Sequence, residues 1–320
     1  MTDAPIPDVM PNRTIAAALA VLGYAMLIGF TDNYVRVIAR DFGLWQFHAT
    51  RSAMAMLILA ILAFALGLRL RPRRFSAVAF RSVTHGLAML IYFGALAFLP
   101  VAQVAAGLFT APIFVLLIQR FTLGLVIGSV QVLAVALGFL GVVLVLGPSA
   151  LSGATLAAVL PIISGALYAV GNIATRELCS DESAETMVAG FFAVLGVFGL
   201  IGVLVLYFVP VVAAEGPDGF IQRGPAWPTA SFLWWTFVQA TGSLLGVGLI
   251  IKAYQMAEAS KVAVFEYVIL PCSAAWGWII WGETLAPVAI AGMVMIALAG
   301  ALISRHAPTA SRQWRRQSET

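Results

Sequence analysis

Apolar residues in this chain come in ten long runs, at about 15–37, 44–66, 82–99, 101–119, 126–147, 154–174, 186–209, 231–256, 262–281 and 286–304, and polar residues are swept into the gaps between them. Each run is close to the roughly 20 residues that an α-helix needs to cross a hydrocarbon core. The bilayer tolerates only helices or closed barrels, because every backbone N–H and C=O must be satisfied within the protein. Barrel strands would be short and alternating, whereas these runs are long and continuous. The pattern predicts an all-α integral membrane protein with ten transmembrane helices, multi-pass and set in the cytoplasmic (inner) membrane.

Composition leaves little room for anything else. Of 320 residues, 62% are hydrophobic and 10% charged, so no soluble domain is expected beside the membrane domain. The net charge of +4 sits in loops between spans and does not point to nucleic acid. Membrane lipid and a small-molecule metabolite are the implied partners, and no soluble protein partner is implied. The N-terminus lacks the pattern of a cleaved signal peptide, since its first apolar run follows Asp3 and Asp8 and no small-residue cleavage site precedes Asp32. Cys179 falls in a loop and Cys272 in mid-helix 9, so no disulfide framework is expected. No spacing of Cys, His and carboxylates suggests a metal, and no cofactor is implied.

Arginine distribution orients the chain. The stretch between the second and third runs carries Arg69, Arg71, Arg73, Arg74 and Arg81, and positive charge in short loops marks the cytoplasmic side. With ten spans, both termini then lie inside. Arg13, Arg120, Arg176, Lys261 and the tail with Arg305, Arg312, Arg315 and Arg316 agree, against Arg36, Arg40 and Arg223 outside. The longest loop, about 210–230, is rich in Gly and Pro and reads as an irregular outer cap.

The two halves share an ordered set of special residues. Pro112 and Pro271 lie mid-helix in runs 4 and 9, 159 residues apart, and the same offset carries Gly141 to Gly300. Asn33 and Asn172 are similarly placed at a shorter offset. A five-span repeat starts its second copy on the opposite face, so the halves would be inverted, as in many transporters. The second half reads Ala253-Tyr254, Ala259-Ser260-Lys261-Val262-Ala263, Phe265-Glu266-Tyr267, Pro271, Gly277 and Trp281-Gly282-Glu283, followed by Gly292 and Gly300. It resembles the EamA family of the drug/metabolite transporter superfamily. The resemblance covers about 15–305, and Arg51 and Arg176 also sit where that family often has arginine. It implies ten helices in two inverted five-helix repeats, here 15–147 and 154–304, flanked by cytoplasmic tails 1–14 and 305–320. It implies transport of a small solute, without naming one. The first half departs from the pattern: where the second has Gly282-Glu283, it has Leu123-Gly124.

Charged residues within spans cost about 2.5–3.5 kcal/mol each at a helix centre and call for partners. Two groups stand out. Asp32 and Arg36 on helix 1 are four apart and can pair directly. With His48 and Arg51 on helix 2 they form either an outer vestibule that recognises a carboxylate or phosphate, or an ion network pinning the two helices. Lys252 on helix 8 and Glu266 on helix 9 flank the 257–261 turn at similar distances, so they lie level. That pair is either a gating and coupling switch or a permanent salt bridge. Pro271 removes an N–H and would free a carbonyl near Tyr267 or Val268 for ligand. Glu258 and Lys261 read as solvated turn residues. Tyr92, Gln103, Thr110, Tyr168, Asn172 and Gln239 supply neutral hydrogen-bonding groups near mid-membrane, some to line a cavity and others to bond between helices, and Trp276 is the cavity candidate among the tryptophans. Gly196, Gly199 and Gly202 form a small-residue ridge for packing helix 7.

The leading expectation is a secondary transporter, a permease or exporter of a small polar or amphipathic metabolite working by alternating access. No Walker-type loop is present, so the chain itself does not hydrolyse ATP. The main alternative, an intramembrane enzyme acting on a lipid-linked substrate, would need a catalytic cluster. His48, His85 and His306 are scattered, which argues against one. A receptor or assembly subunit would have no need of an inverted repeat.

Overall fold

A computed structural model describes residues 13–95, 101–147, 159–284 and 286–305. Its helices are α1 (Thr14–Asp32), α2 (Val35–Ala39), α3 (Leu44–Leu66), α4 (Phe75–Ala95), α5 (Val101–Leu108), α6 (Ala111–Phe121), α7 (Ser129–Leu146), α8 (Val159–Glu177), α9 (Ala184–Phe208), α10 (Ala230–Met256), α11 (Ala259–Glu266), α12 (Ile269–Trp281) and α13 (Pro287–Ser304). They compose ten candidate membrane spans, because α1–α2, α5–α6 and α11–α12 are each one interrupted span, broken near the end in span 1 and nearer the middle in spans 4 and 9. The expected spans agree to within a few residues, except that span 3 begins at Phe75. Arg81, expected in the loop, lies inside α4 and is buried there. Parts of the third and sixth expected runs, the far N-terminus and most of the basic tail lie outside the described residues.

Large apolar residues cover the exterior as well as the core. Leu57, Ile61 and Phe64 on α3, Leu200 and Leu204 on α9 and Val294 and Leu298 on α13 are exposed. In lipid that exterior is the solvated state, and inside, small residues let helices approach beside large apolar ones such as Phe47, Phe192 and Leu195. The glycine ridge on α9 illustrates this: Gly196, Gly199 and Gly202 abut Ser52, Ala49 and Trp45 of α3.

Helix partners follow a rule. Spans 2 and 7 pack together (α3 on α9), as do spans 5 and 10 (α7 on α13). Span 1 packs on spans 8 and 9, and span 6 packs on spans 3 and 4. Exchanging each span with the one five places on leaves this set of partners unchanged.

The breaks in spans 4 and 9 correspond too. α5 ends at Leu108 and α6 starts at Ala111, with Pro112 in its first turn. α11 ends at Glu266 and α12 starts at Ile269, with Pro271 in its first turn. Proline tolerates that position because a first-turn N–H has no intrahelical acceptor. Phe109 and Tyr267, one at each break, face each other with ring centroids 6.2 Å apart.

Candidate functional site

A cavity of about 260 Å³ lies between these breaks, lined by residues of spans 1–4 and 6–9. Its walls are largely apolar and aromatic. Charged groups cluster at its two ends, Asp32 and Arg51 at one and Glu266 and Arg81 at the other.

Asp32, the last residue of α1, accepts a hydrogen bond on Oδ1 from Gln239 Nε2 at 3.1 Å. Arg51 is buried, with its guanidinium 5.0 Å from the Phe47 ring centre and Nη2 3.3 Å from His48 Nδ1. Its Nε has no protein partner, leaving donor capacity beside the cavity. The expected Asp32–Arg36 pair is not formed. The helix breaks at Asn33–Tyr34, so the four-residue spacing no longer places the two on one face. Arg36 turns instead to Glu283, 2.8 Å away, and lies over the Trp281 ring. His48 lies beside Arg51 rather than Arg36.

At the opposite end Glu266 is buried and surrounded by donors. Tyr168 Oη donates to Oε2 at 2.7 Å, Asn172 Nδ2 donates to Oε1 at 3.4 Å, and the Tyr254 hydroxyl donates to Oε1. Hydrogen bonds to an ionised group are the strong ones, about 1.5–3 kcal/mol each. The expected Lys252–Glu266 pair is not formed: Lys252 is exposed. Tyr254, two residues on and about 200° around the helix, reaches the carboxylate instead. The carbonyls expected to be freed by Pro271 are also engaged. Tyr267 O accepts from Leu270 N at 3.2 Å and Val268 O from Cys272 N at 3.1 Å.

Of the other expected site residues, Tyr92 and Tyr168 line the cavity, together with Asp32, Arg51 and Glu266. Asn172 and Gln239 stand behind the wall, holding Glu266 and Asp32. Thr110 donates to Gly107 O at 2.6 Å, stabilising the break instead of facing the cavity. Trp276 donates to Met26 O at 3.0 Å and packs against Phe30, sealing spans 1 and 9. The side chain of Gln103 lies outside the described residues. Lys261 is buried, not solvated. Arg176, expected in a loop, is in the last turn of α8 and donates to the carbonyls of Tyr254 and Ala257.

Two wall residues had no clear signal in the sequence. Arg81 donates to Thr175 Oγ1 at 3.1 Å and Met187 O at 3.2 Å. His85, one turn on, reaches Asn172 Oδ1 at 2.9 Å and so joins the Glu266 network. Among the described residues no group of three metal-ligating side chains occurs.

Part of this ten-span chain is similar in sequence to a known family. The profile of the EamA-like transporter family matches residues 15–147. That part of the chain is similar to the family. The pseudopaline exporter CntI of Pseudomonas aeruginosa is 26% identical over 300 residues, 93% of this chain and 98% of the exporter. A riboflavin transporter of Vibrio cholerae is 25% identical over 310 residues, 95% and 98% of the respective chains. A solved crystal structure 15% identical in sequence superposes with a TM-score of 0.74 over 93% of this chain and all of the other, which establishes the fold. The likeness to these two transporters thus runs over nearly the whole of a chain with ten candidate membrane spans.

Proposed function

We propose that the protein carries a small polar or amphipathic metabolite by alternating access, with two inverted five-helix repeats, 15–147 and 154–304, rocking about the central cavity. The observation that carries this is the cavity itself. It lies beside paired helix breaks and presents oppositely charged groups at each end. Helix breaks at membrane depth are tolerated where they line such a site. The exchange of packing partners between span i and span i+5 supports the inverted repeat.

Arg51, with unused donor capacity, is the group for an anionic part of the substrate. Asp32 orients it from across the vestibule. Glu266, held by Tyr168, Asn172 and Tyr254, is the group for a cationic part or a proton. Aromatic walls suit a ring-bearing or amphipathic solute, and relatives named for riboflavin and pseudopaline are in keeping with that breadth. The arginine loop at 69–74 supports an inner-membrane orientation with both termini cytoplasmic.

Reconstituted vesicles test the reading. Riboflavin and a panel of labelled amino acids are offered, and flux is compared between wild type and Glu266→Gln. Flux of at least one solute that collapses in the variant, while its helix content and elution volume are unchanged, is the expected result. Equal flux in both overturns the role of the cavity.

A further inference from the structure

His85 presents both ring nitrogens to oxygen acceptors. Nδ1 lies 3.1 Å from the carbonyl oxygen of Arg81, and Nε2 lies 2.9 Å from Asn172 Oδ1. An amide oxygen accepts and cannot donate. Both contacts are therefore satisfied together only when both nitrogens carry hydrogen, as imidazolium. On the far side of the amide, Asn172 Nδ2 donates to Tyr254 Oη at 2.9 Å and to Glu266 Oε1, and the hydroxyls of Tyr254 and Tyr168 also donate to that carboxyl. This pattern suits an ionised Glu266. An anion and a cation are thus joined through one amide.

The same atomic positions support a second pattern. Turning the Asn172 amide by half a revolution exchanges its oxygen and nitrogen almost without moving either. Nδ2 then donates to a bare Nε2, so His85 is neutral and keeps only Nδ1–H on the Arg81 carbonyl. The amide oxygen now faces Tyr254, whose hydroxyl donates to it and accepts from a protonated Glu266 Oε1. Every group is again paired except the second N–H of Asn172. Mixed patterns set donor against donor or acceptor against acceptor in a buried site, at the cost of an unmade hydrogen bond.

We infer that His85 and Glu266 share a single proton, and that the orientation of Asn172 makes the two placements exclusive. In the exchange the Nε2–H bond of His85 breaks and an O–H bond forms on Glu266 Oε1. The amide turns, Tyr254 reverses its donation, and the total charge of the pair is unchanged. Both side chains line the cavity, so cavity water carries the proton between them. The neighbours are named on every side. Arg81 is the nearest cation, on the same helix. Tyr168 of α8 sets its ring 5.2 Å from His85. Tyr24 of α1, with Asp32 and Arg51 beyond it, shares the cavity wall, and Lys252 is exposed elsewhere. The ring of His85 is also fixed in place: a Cβ at Gly171 would overlap it.

This extends the transport reading by giving its inner carboxylate a positioning partner, and its test needs no substrate. Protein labelled with ¹⁵N-histidine in lipid nanodiscs reports charge and tautomer, with His85 assigned by its loss in His85→Gln. The infrared carbonyl band of Glu266, assigned by its loss in Glu266→Gln, reports the carboxylic acid. The expected result is a His85 imidazolium in wild type wherever Glu266 is ionised. Its population falls about tenfold in Glu266→Gln, a pairing of one pKa unit. Asn172→Leu abolishes the same dependence. An imidazolium population unmoved by Glu266→Gln overturns the inference. So does wild-type protein with an ionised Glu266 and a neutral His85 across the neutral range, which decides the matter even if the variant fails to fold.

Discussion

Gly141 and Gly292 lie against each other's backbone where α7 crosses α13. A Cβ on Gly141 would sit 2.7 Å from Gly292 O, and a Cβ on Gly292 would sit 2.5 Å from Gly141 O. The contact is reciprocal and joins span 5 to span 10. Small residues let membrane helices approach this closely. Gly141→Val or Gly292→Val is expected to destabilise the bundle by about 1–3 kcal/mol through overpacking. Thermal unfolding in detergent measures it. An unchanged midpoint in both variants would show that the crossing is loose.

Tyr254 and Tyr168 both donate to Glu266. Tyr254→Phe and Tyr168→Phe each remove one charge-assisted hydrogen bond while keeping the ring. Each is expected to lower flux about tenfold or more, on the scale of about 1.5–3 kcal/mol per bond. Flux equal to wild type in both variants would mean that the carboxylate needs no buttress during transport.

Arg51 offers a planar fork whose Nε is unpaired. Arg51→Lys replaces the fork with a point charge and is expected to weaken apparent affinity more than maximal flux. Arg51→Gln with full transport and unchanged affinity would remove Arg51 from substrate recognition.

Lys252 is exposed, away from the carboxylate it was expected to pair with. Lys252→Met should change stability by no more than about 0.5 kcal/mol and leave flux intact, as for most exposed substitutions. Loss of transport comparable with Glu266→Gln would restore the ion-pair switch.

A cysteine introduced at Arg71 should react with a membrane-impermeant maleimide only after cells are opened. The native thiols leave little background. Cys179 and Cys272 are buried, and burial pushes the Cys179 thiol above its usual range. Labelling in intact cells would invert the proposed topology.

The spans were legible in the sequence because bilayer thickness imposes a length on every one of them, and composition reports it directly. Proximity to the cavity was legible in part, since Asp32, Arg51 and Glu266 lie in its wall. Azimuth was not. Lys252 and Tyr254 are two residues apart, almost opposite each other on α10, and depth counting cannot choose between them. Helix breaks cost information as well, since the interruption after Asp32 redirected Arg36 to a residue 247 positions away. His85 looked isolated because its partner Asn172 is 87 residues distant, and nothing local marks that meeting. Arg81 was read as a loop residue because it is charged, although Thr175 and a backbone carbonyl satisfy it within the bundle.

On the face opposite the arginine loop, Arg223 donates to four carbonyls, those of Ala39, Phe42, Ala214 and Gly216. Phe220 O accepts from Leu44 N, and Ile221 O from Trp45 Nε1. The tip of span 1, the start of span 2 and the segment after span 7 are therefore riveted into one plate. Where that plate meets the end of span 9, the contacts are side chains: Arg36 pairs with Glu283 and lies over the Trp281 ring, and Tyr34 packs beside Trp281, an exposed ion pair alone being worth only about 0–1 kcal/mol. A mouth built this way has a seam already chosen. If transport works by alternating access, the mouth is expected to part between α2 and the end of α12 before the plate itself comes apart.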